Sequence, residues 1–277
     1  EHIGQPNWFT EGGDMDKGEF GIKVAQELAA KIDEIGEENV AAFIAEPIQG
    51  AGGVIVPPST YWPEISRICK ERDILLISDE VICGFGRTGD WFGAQTYGYE
   101  PDLMTFAKAV TNGFQPLGGV MVSDKIADVL TNGGGEFTHG FTYSGHPAAC
   151  AAGIATIDIL KNDKVIENAA ADIMPYFQAQ LRTLESHPIV GEVRGMGMVA
   201  ALEIAKNKSA KERLAPDCAG GAMVKMQAIK HGLMVRSVGD AIVTAPPMVC
   251  TRAEIDLLIT RLTIALDYTA KHYGIKV

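Results

Sequence analysis

Lys108 follows the apolar run Leu103 to Ala107, and Asp79 closes another apolar run, Ile74 to Ser78, in the string ISDEV. Each stands where a buried strand would run out. An amine and a carbonyl condense to an imine, and electrons released when a neighbouring bond breaks must drain into a conjugated ring. The ring accepts them best with its nitrogen protonated, and a carboxylate within about 4 to 6 Å favours that cation. A lysine and an aspartate so placed are therefore the pattern of pyridoxal phosphate (PLP) chemistry. On a strand, residues two apart share a face. Val81 is thus expected to project beside Asp79 and press on a flat ring, with Glu80 pointing the other way.

Taken singly, these residues are ambiguous. A lysine after an apolar strand is commonly a solvated strand end, and Asp-Glu after a strand is commonly a cap or turn pair. The surrounding text narrows the choice. The strings AEPIQGAGG (Ala45 to Gly53), SDEVICGFGRTG (Ser78 to Gly89), FAKAVTNGFQPLGGV (Phe106 to Val120) and FTYSGHPAACAA (Phe141 to Ala152) occur in order, followed by VRSVGDAIVTAPP (Val235 to Pro247). Together they resemble the class III aminotransferases of PLP fold type I, and in particular the omega-transaminases that act on amines and beta- or omega-amino acids with pyruvate.

Position by position, the resemblance implies that Lys108 binds the cofactor aldehyde and later shuttles a proton. Asp79 pairs with the pyridine nitrogen, and Val81 lies against one ring face. It implies that Thr142 reaches the cofactor phosphate of a neighbouring subunit, and hence a homodimer. Arg236 resembles a mobile arginine that holds a substrate carboxylate and swings away for a hydrophobic amine. Gln49 and Glu46 resemble residues lining the site. An arginine suits a carboxylate because its planar fork donates two parallel hydrogen bonds. Thr142 lies among Gly140, Ser144 and Gly145, whose backbone can approach a phosphate closely. Arg87, in GFGRTG, is expected to anchor a loop without a catalytic role.

The opening EHIGQPNWF resembles text near the middle of a family member, so the chain is expected to be a carboxyl-terminal portion. A Gly-Ser pair on the phosphate and an aromatic stacking on the second ring face would then lie upstream of Glu1. Two alternatives stand beside the transaminase: an aminomutase, decarboxylase or racemase of the same fold, and an inert fragment that keeps the fold and a dimer surface. Trp8, Phe9, Phe137, Phe141 and Tyr143 read more readily as packing than as a substrate pocket.

Bulk properties exclude more than they specify. The 277 residues are 47% hydrophobic and 21% charged, enough to bury a sizeable core. Lys and Arg number 24 against 35 Asp and Glu, a net charge of −11. With no basic run, nucleic acid and anionic membrane are poor partners. Cys69, Cys83, Cys150, Cys218 and Cys250 are scattered and never form C-x-x-C, unlike a zinc site or a disulfide framework; a reducing cytoplasm suits them. No apolar stretch is long enough to span a bilayer.

The element pattern indicates an α/β fold, a mostly parallel sheet with flanking helices, followed by a small α+β domain. Residues 1–161 are expected to form the remainder of a large PLP-binding domain and residues 162–277 the small carboxyl-terminal one. Phe20, Val24, Leu28 and Ile32 mark a helix ended by Gly36. Val40 to Ala45 reads as a buried strand, and Val165 to Leu184 as a helix kinked at Pro175. Leu233 to Arg236 and Ala241 to Thr244 read as strands around a Gly239-Asp240 turn, with a closing helix from Arg252 to Tyr273.

Overall fold

A computed structural model describes residues 1–133 and 135–277. Its first sheet contains β1 (Ala42–Ala45), β2 (Leu75–Asp79), β3 (Leu103–Phe106) and β4 (Gly119–Val122), in the spatial order β1-β2-β3-β4. β1, β2 and β3 run parallel, and β4 returns antiparallel to β3. The parallel pairs require crossovers. These are supplied by the helices Tyr61–Glu71 and Gly93–Tyr97.

Helix Lys17–Ile35 forms as its periodicity predicts. Asp16 caps it by accepting from the Gly18 N–H at 2.7 Å, and Gly36, at φ 92°, releases the chain from it. Its stripe of Phe20, Val24, Leu28 and Ile32 packs against Trp62, Ile65, Cys69 and Leu76. Trp62 is fully buried, stacks on Tyr99 with ring centroids 4.1 Å apart, and donates its indole N–H to the Pro47 carbonyl at 3.1 Å. The helix layer is thereby tied to the loop after β1. Trp62→Ala is expected to cost about 3 to 5 kcal/mol, the usual penalty for emptying a large aromatic site, measured by urea unfolding. A loss below 1 kcal/mol, on the scale of about one hydrogen bond, would contradict this placement.

β1 is not the buried strand that its apolar composition predicts. The strand begins at Ala42 and is the outer strand of the sheet, so Ile44 remains 56% exposed. Apolar composition signals a strand; it does not say whether a neighbour covers it.

The second sheet contains β5 (Val190–Met196), β6 (Val199–Ile204), β7 (Arg236–Val238) and β8 (Ala241–Thr244), ordered β5-β6-β8-β7 and antiparallel throughout. One face is covered by helices Ile173–Arg182, Ala219–Lys230 and Arg252–His272, which bury Phe177, Leu181, Val224, Ile255, Leu262 and Leu266 with Leu202 and Ile242. The other face meets the first sheet's loops, where Val199, Ala201 and Ala241 pack with Ile48, Val54 and Cys83. Residues Arg236–Val238, rather than Leu233 to Arg236, make the short strand, and Gly239 turns at φ 57°.

The expected kink at Pro175 is also displaced. Two helices, Val165–Ala171 and Ile173–Arg182, meet at Asp172 (φ −129°, ψ −70°). Pro175 falls in the first turn of the second helix, where its missing N–H is not needed.

Candidate active site

β2 and β3 are parallel, with Asp79 paired to Thr105, so both strands deliver their carboxyl ends to one edge of the sheet. Ligands of open α/β sheets bind at that edge. Asp79 is held there by register. Its Oδ1 accepts from the Thr105 hydroxyl at 3.1 Å and from the Val81 N–H at 3.1 Å. Its Oδ2 accepts no hydrogen bond from the described residues, and Asp79 lines a cleft of ≈ 800 Å³ together with Glu46, Gln49 and Gln5.

Lys108 lies three residues beyond Thr105, a span of at most about 10 Å. Ala107 is extended, and Lys108 then takes φ 48°, a left-handed conformation costly for a residue with a Cβ. That reversal opens the short helical turn Lys108–Val110, pinned by buried Val110 and by the buried Thr111 side chain, whose hydroxyl donates to the Gln115 carbonyl at 2.5 Å. The Lys108 side chain is exposed at the same edge as Asp79.

Glu46 and Gln49 follow β1 at that edge. Glu46 accepts from the Gly50 N–H at 2.9 Å, and Gln49 accepts from the Gln5 side chain at 2.8 Å. Burial pushes the Glu46 carboxyl above its ordinary range against the Gly50 hydrogen bond; Asp79 raises it further and Lys108 lowers it. The Glu46 carboxyl thus senses both groups, which places the three in one electrostatic neighbourhood.

Val81 reaches this neighbourhood by a different route from the one expected. β2 ends at Asp79 and residues 81–88 form consecutive turns, so strand alternation does not extend to Val81. Its half-buried position follows from its N–H bonding back to Asp79. Glu80 does point away, as expected. It is fully buried and accepts from the Gly93 and Ala94 N–H groups at 2.8 and 2.7 Å and from Ser78. Burial raises its carboxyl while these donors oppose the shift.

Arg87 is the expected loop anchor. Its guanidinium donates to the Met198 carbonyl at 3.0 Å and the Pro246 carbonyl at 2.7 Å, and burial lowers its pKa. Thr142 sits in an exposed turn at residues 142–145 and is not among the residues lining the cleft. Arg236 opens β7 with an exposed side chain. Of the aromatics, Phe9 is buried and Trp8 donates to the Met15 carbonyl, whereas Phe137, Phe141 and Tyr143 are exposed, against the packing expected of them. Thr105, which braces Asp79, escaped the sequence reading because parallel register leaves no local signal.

Residues 14–266 match the family described as aminotransferase class-III. The chain belongs to that family. It is 56% identical over 269 residues to a putrescine–pyruvate aminotransferase of Pseudomonas aeruginosa, an alignment covering 97% of this chain and 59% of that protein. It is 45% identical over 256 residues to the mitochondrial gamma aminobutyrate transaminase 1 of Solanum lycopersicum, covering 91% of this chain and 50% of the relative. Among solved structures, the omega transaminase from Pseudomonas jessenii in complex with PMP superposes with a TM-score of 0.95 at 37% identity, covering 99% of this chain and 61% of that one. A thermostable (S)-enantioselective omega-transaminase from Thermomicrobium roseum gives 0.91 at 46% identity, covering 97% and 60%. The chain therefore spans about half to three-fifths of the lengths of these class-III aminotransferases, with the fold type I architecture of the PLP transaminases.

Proposed function

We infer that this chain carries the PLP site of a transaminase moving an amino group from an amine or omega-amino acid to pyruvate or a similar keto acid. The carrying observation is Asp79 and Lys108 at the carboxyl ends of adjacent parallel strands, with one Asp79 oxygen braced and the other without a donor among the described residues. That donor set fits pyridoxal phosphate: an amine for the aldehyde and an acceptor for a protonated ring nitrogen. When bound, the cofactor supplies an aldehyde that takes up the amino group and a ring that accepts the electron pair released beside it.

The chain's own residues then divide the work. Lys108 would hold the cofactor through Nζ, and the freed Nζ would then take a proton from the substrate carbon and deliver it to the cofactor's C4' carbon. Asp79 would accept the ring N–H, with the Thr105 hydroxyl and the Val81 N–H keeping that carboxylate from turning. Val81 would lie against a ring face, with Glu46 and Gln49 lining the wall beside it. Arg236 takes the substrate carboxylate when there is one. Residues 1–161 serve as the cofactor-binding part and residues 162–277 as the small domain.

Thr142, in its exposed turn, serves the phosphate of a second copy, and exposed Phe141 and Tyr143 beside it suit a homodimer contact. Among the described residues no helix is long and apolar enough to cross a membrane. Five free thiols suit the cytoplasm.

The test is alanine release from pyruvate, which is expected to match amine consumption one to one. Carbon dioxide or a rearranged amine as product would favour another PLP enzyme, and no turnover with no cofactor uptake would favour an inert fragment. Arg236→Ala is expected to raise KM for carboxylate-bearing donors by about 10- to 100-fold, the loss of a charge-assisted pair, while leaving simple amines within about threefold. Equal losses for both donor classes would remove Arg236 from this role.

A further inference from the structure

Arg194 lies on β5 and crosses to the loop after β1. Its Nη2 donates to the Gly53 carbonyl at 2.8 Å, and its Nε donates to the Gly53 and Val54 carbonyls at 3.2 and 3.0 Å. The remaining donors meet Glu192 at 3.0 Å and Glu203 at 2.7 Å. All three charged side chains are at least 85% buried. Burial pushes the Glu203 carboxyl up while Arg194 holds it down. So buried a guanidinium, spent on two backbone carbonyls 140 residues away, is costly unless geometry is what it secures.

The sheet register shows what that geometry connects. Arg194 pairs with Ala201, Ala201 with Val243, and Val243 with Arg236. Directly paired residues share a face. Arg194 and Arg236 therefore stand on the same face, at opposite ends of one row about 14 Å long, three strand spacings. The loop held by Arg194 lies over this face. Gly53, at φ 106°, is seated so closely that a Cβ would come within 3.1 Å of Ala241 and 3.9 Å of Val238, two residues from Arg236. The same loop begins at Gln49, which exchanges backbone hydrogen bonds with Ile55 at 3.1 and 3.0 Å.

We propose that Arg194 is a positioning residue whose clasp on Gly53 and Val54 seats residues 49–55 across the row ending at Arg236, fixing the carboxylate-binding arginine against the Gln49 wall. This rests on the carboxylate-binding role of Arg236. The clasp reciprocates that of Arg87, which crosses the same seam in the opposite direction to the Met198 and Pro246 carbonyls.

Arg194→Met strips buried Glu203 of its ion-pair partner and leaves Glu192 only Lys17 at 3.8 Å, so the decisive variant is Glu192→Gln, Arg194→Met and Glu203→Gln combined. By hydrogen–deuterium exchange on the whole chain, amides of residues 49–55 are expected to exchange about tenfold faster in the triple variant, with β2, β3 and helix Arg252–His272 unchanged. KM for a carboxylate-bearing donor is expected to rise about tenfold, the scale of one charge-assisted hydrogen bond, with KM for a simple amine and both kcat values unmoved. Arg194→Lys should not restore either property, because one ammonium cannot bridge two carbonyls and two carboxylates. Unchanged loop exchange, rescue by lysine, or unfolding of the triple variant would overturn the clasp. A loosened loop with equal KM shifts for both donor classes would overturn its link to Arg236. Failure of the unsubstituted chain to take up PLP would instead count against the transaminase reading and leave the exchange result standing.

Discussion

Lys108→Ala is expected to remove both covalent retention of pyridoxal phosphate and amino transfer, while the fold stands. The proton-transfer role alone is worth about 10²- to 10⁴-fold in rate, and loss of the covalent hold adds to it. Stability should move by less than about 0.5 kcal/mol, the range for exposed sites without special contacts. Lys108 is exposed, and its left-handed backbone strains alanine as it strains lysine. A small exogenous amine should restore part of the rate by standing in for Nζ. Absorbance of the protein after gel filtration from excess cofactor, with alanine release from pyruvate, measures both. A variant that kept its cofactor and its rate would displace Lys108 from the site.

Asp79→Asn should separate cofactor retention from turnover. An asparagine carbonyl can replace Oδ1 as acceptor for the Thr105 hydroxyl and the Val81 N–H, so the strand end keeps its geometry. Its amide nitrogen then stands where Oδ2 stood. A donor facing the ring nitrogen cannot accept a proton from it, and the cationic ring loses its counter-charge. Turnover is expected to fall about 10²- to 10³-fold, comparable to losing one preorganised electrostatic partner, with the cofactor still bound through Lys108. An unchanged kcat would refute the ring-nitrogen role of Asp79.

Lys108 and Asp79 were legible in the sequence because each interrupts an apolar run, and strand ends in an α/β fold are where ligands sit. The helices from Lys17 and Arg252 were legible for an equally local reason: apolar residues recurring at a period of 3.6. What escaped depends on residues distant in sequence. Whether β1 is buried depends on which strands flank it. The position of Val81 depends on β2 ending two residues earlier, since its N–H bonds to Asp79 instead of continuing a ladder. The break at Asp172 has no proline or glycine of its own and prevailed over Pro175, which a first turn accommodates.

The two arginine clasps are the clearest case. Arg87 reaches a carbonyl 159 residues away and Arg194 carbonyls 140 and 141 away. Backbone carbonyls carry no residue-type signature, so no spacing in the text could announce them. Gly197 has a local signature, a glycine between two apolar strands, and its φ of 56° forms the β5–β6 reversal against the Arg87 carbonyl.

The most direct measurement is to add pyridoxal phosphate to the chain, reduce with borohydride, and locate the bound phosphopyridoxyl group by peptide mass spectrometry. Stoichiometric labelling of Lys108, abolished in Lys108→Ala and retained in Asp79→Asn, is the expected result. Labelling of another lysine, or a low yield spread over the surface amines, would contradict the site built on Lys108 and Asp79.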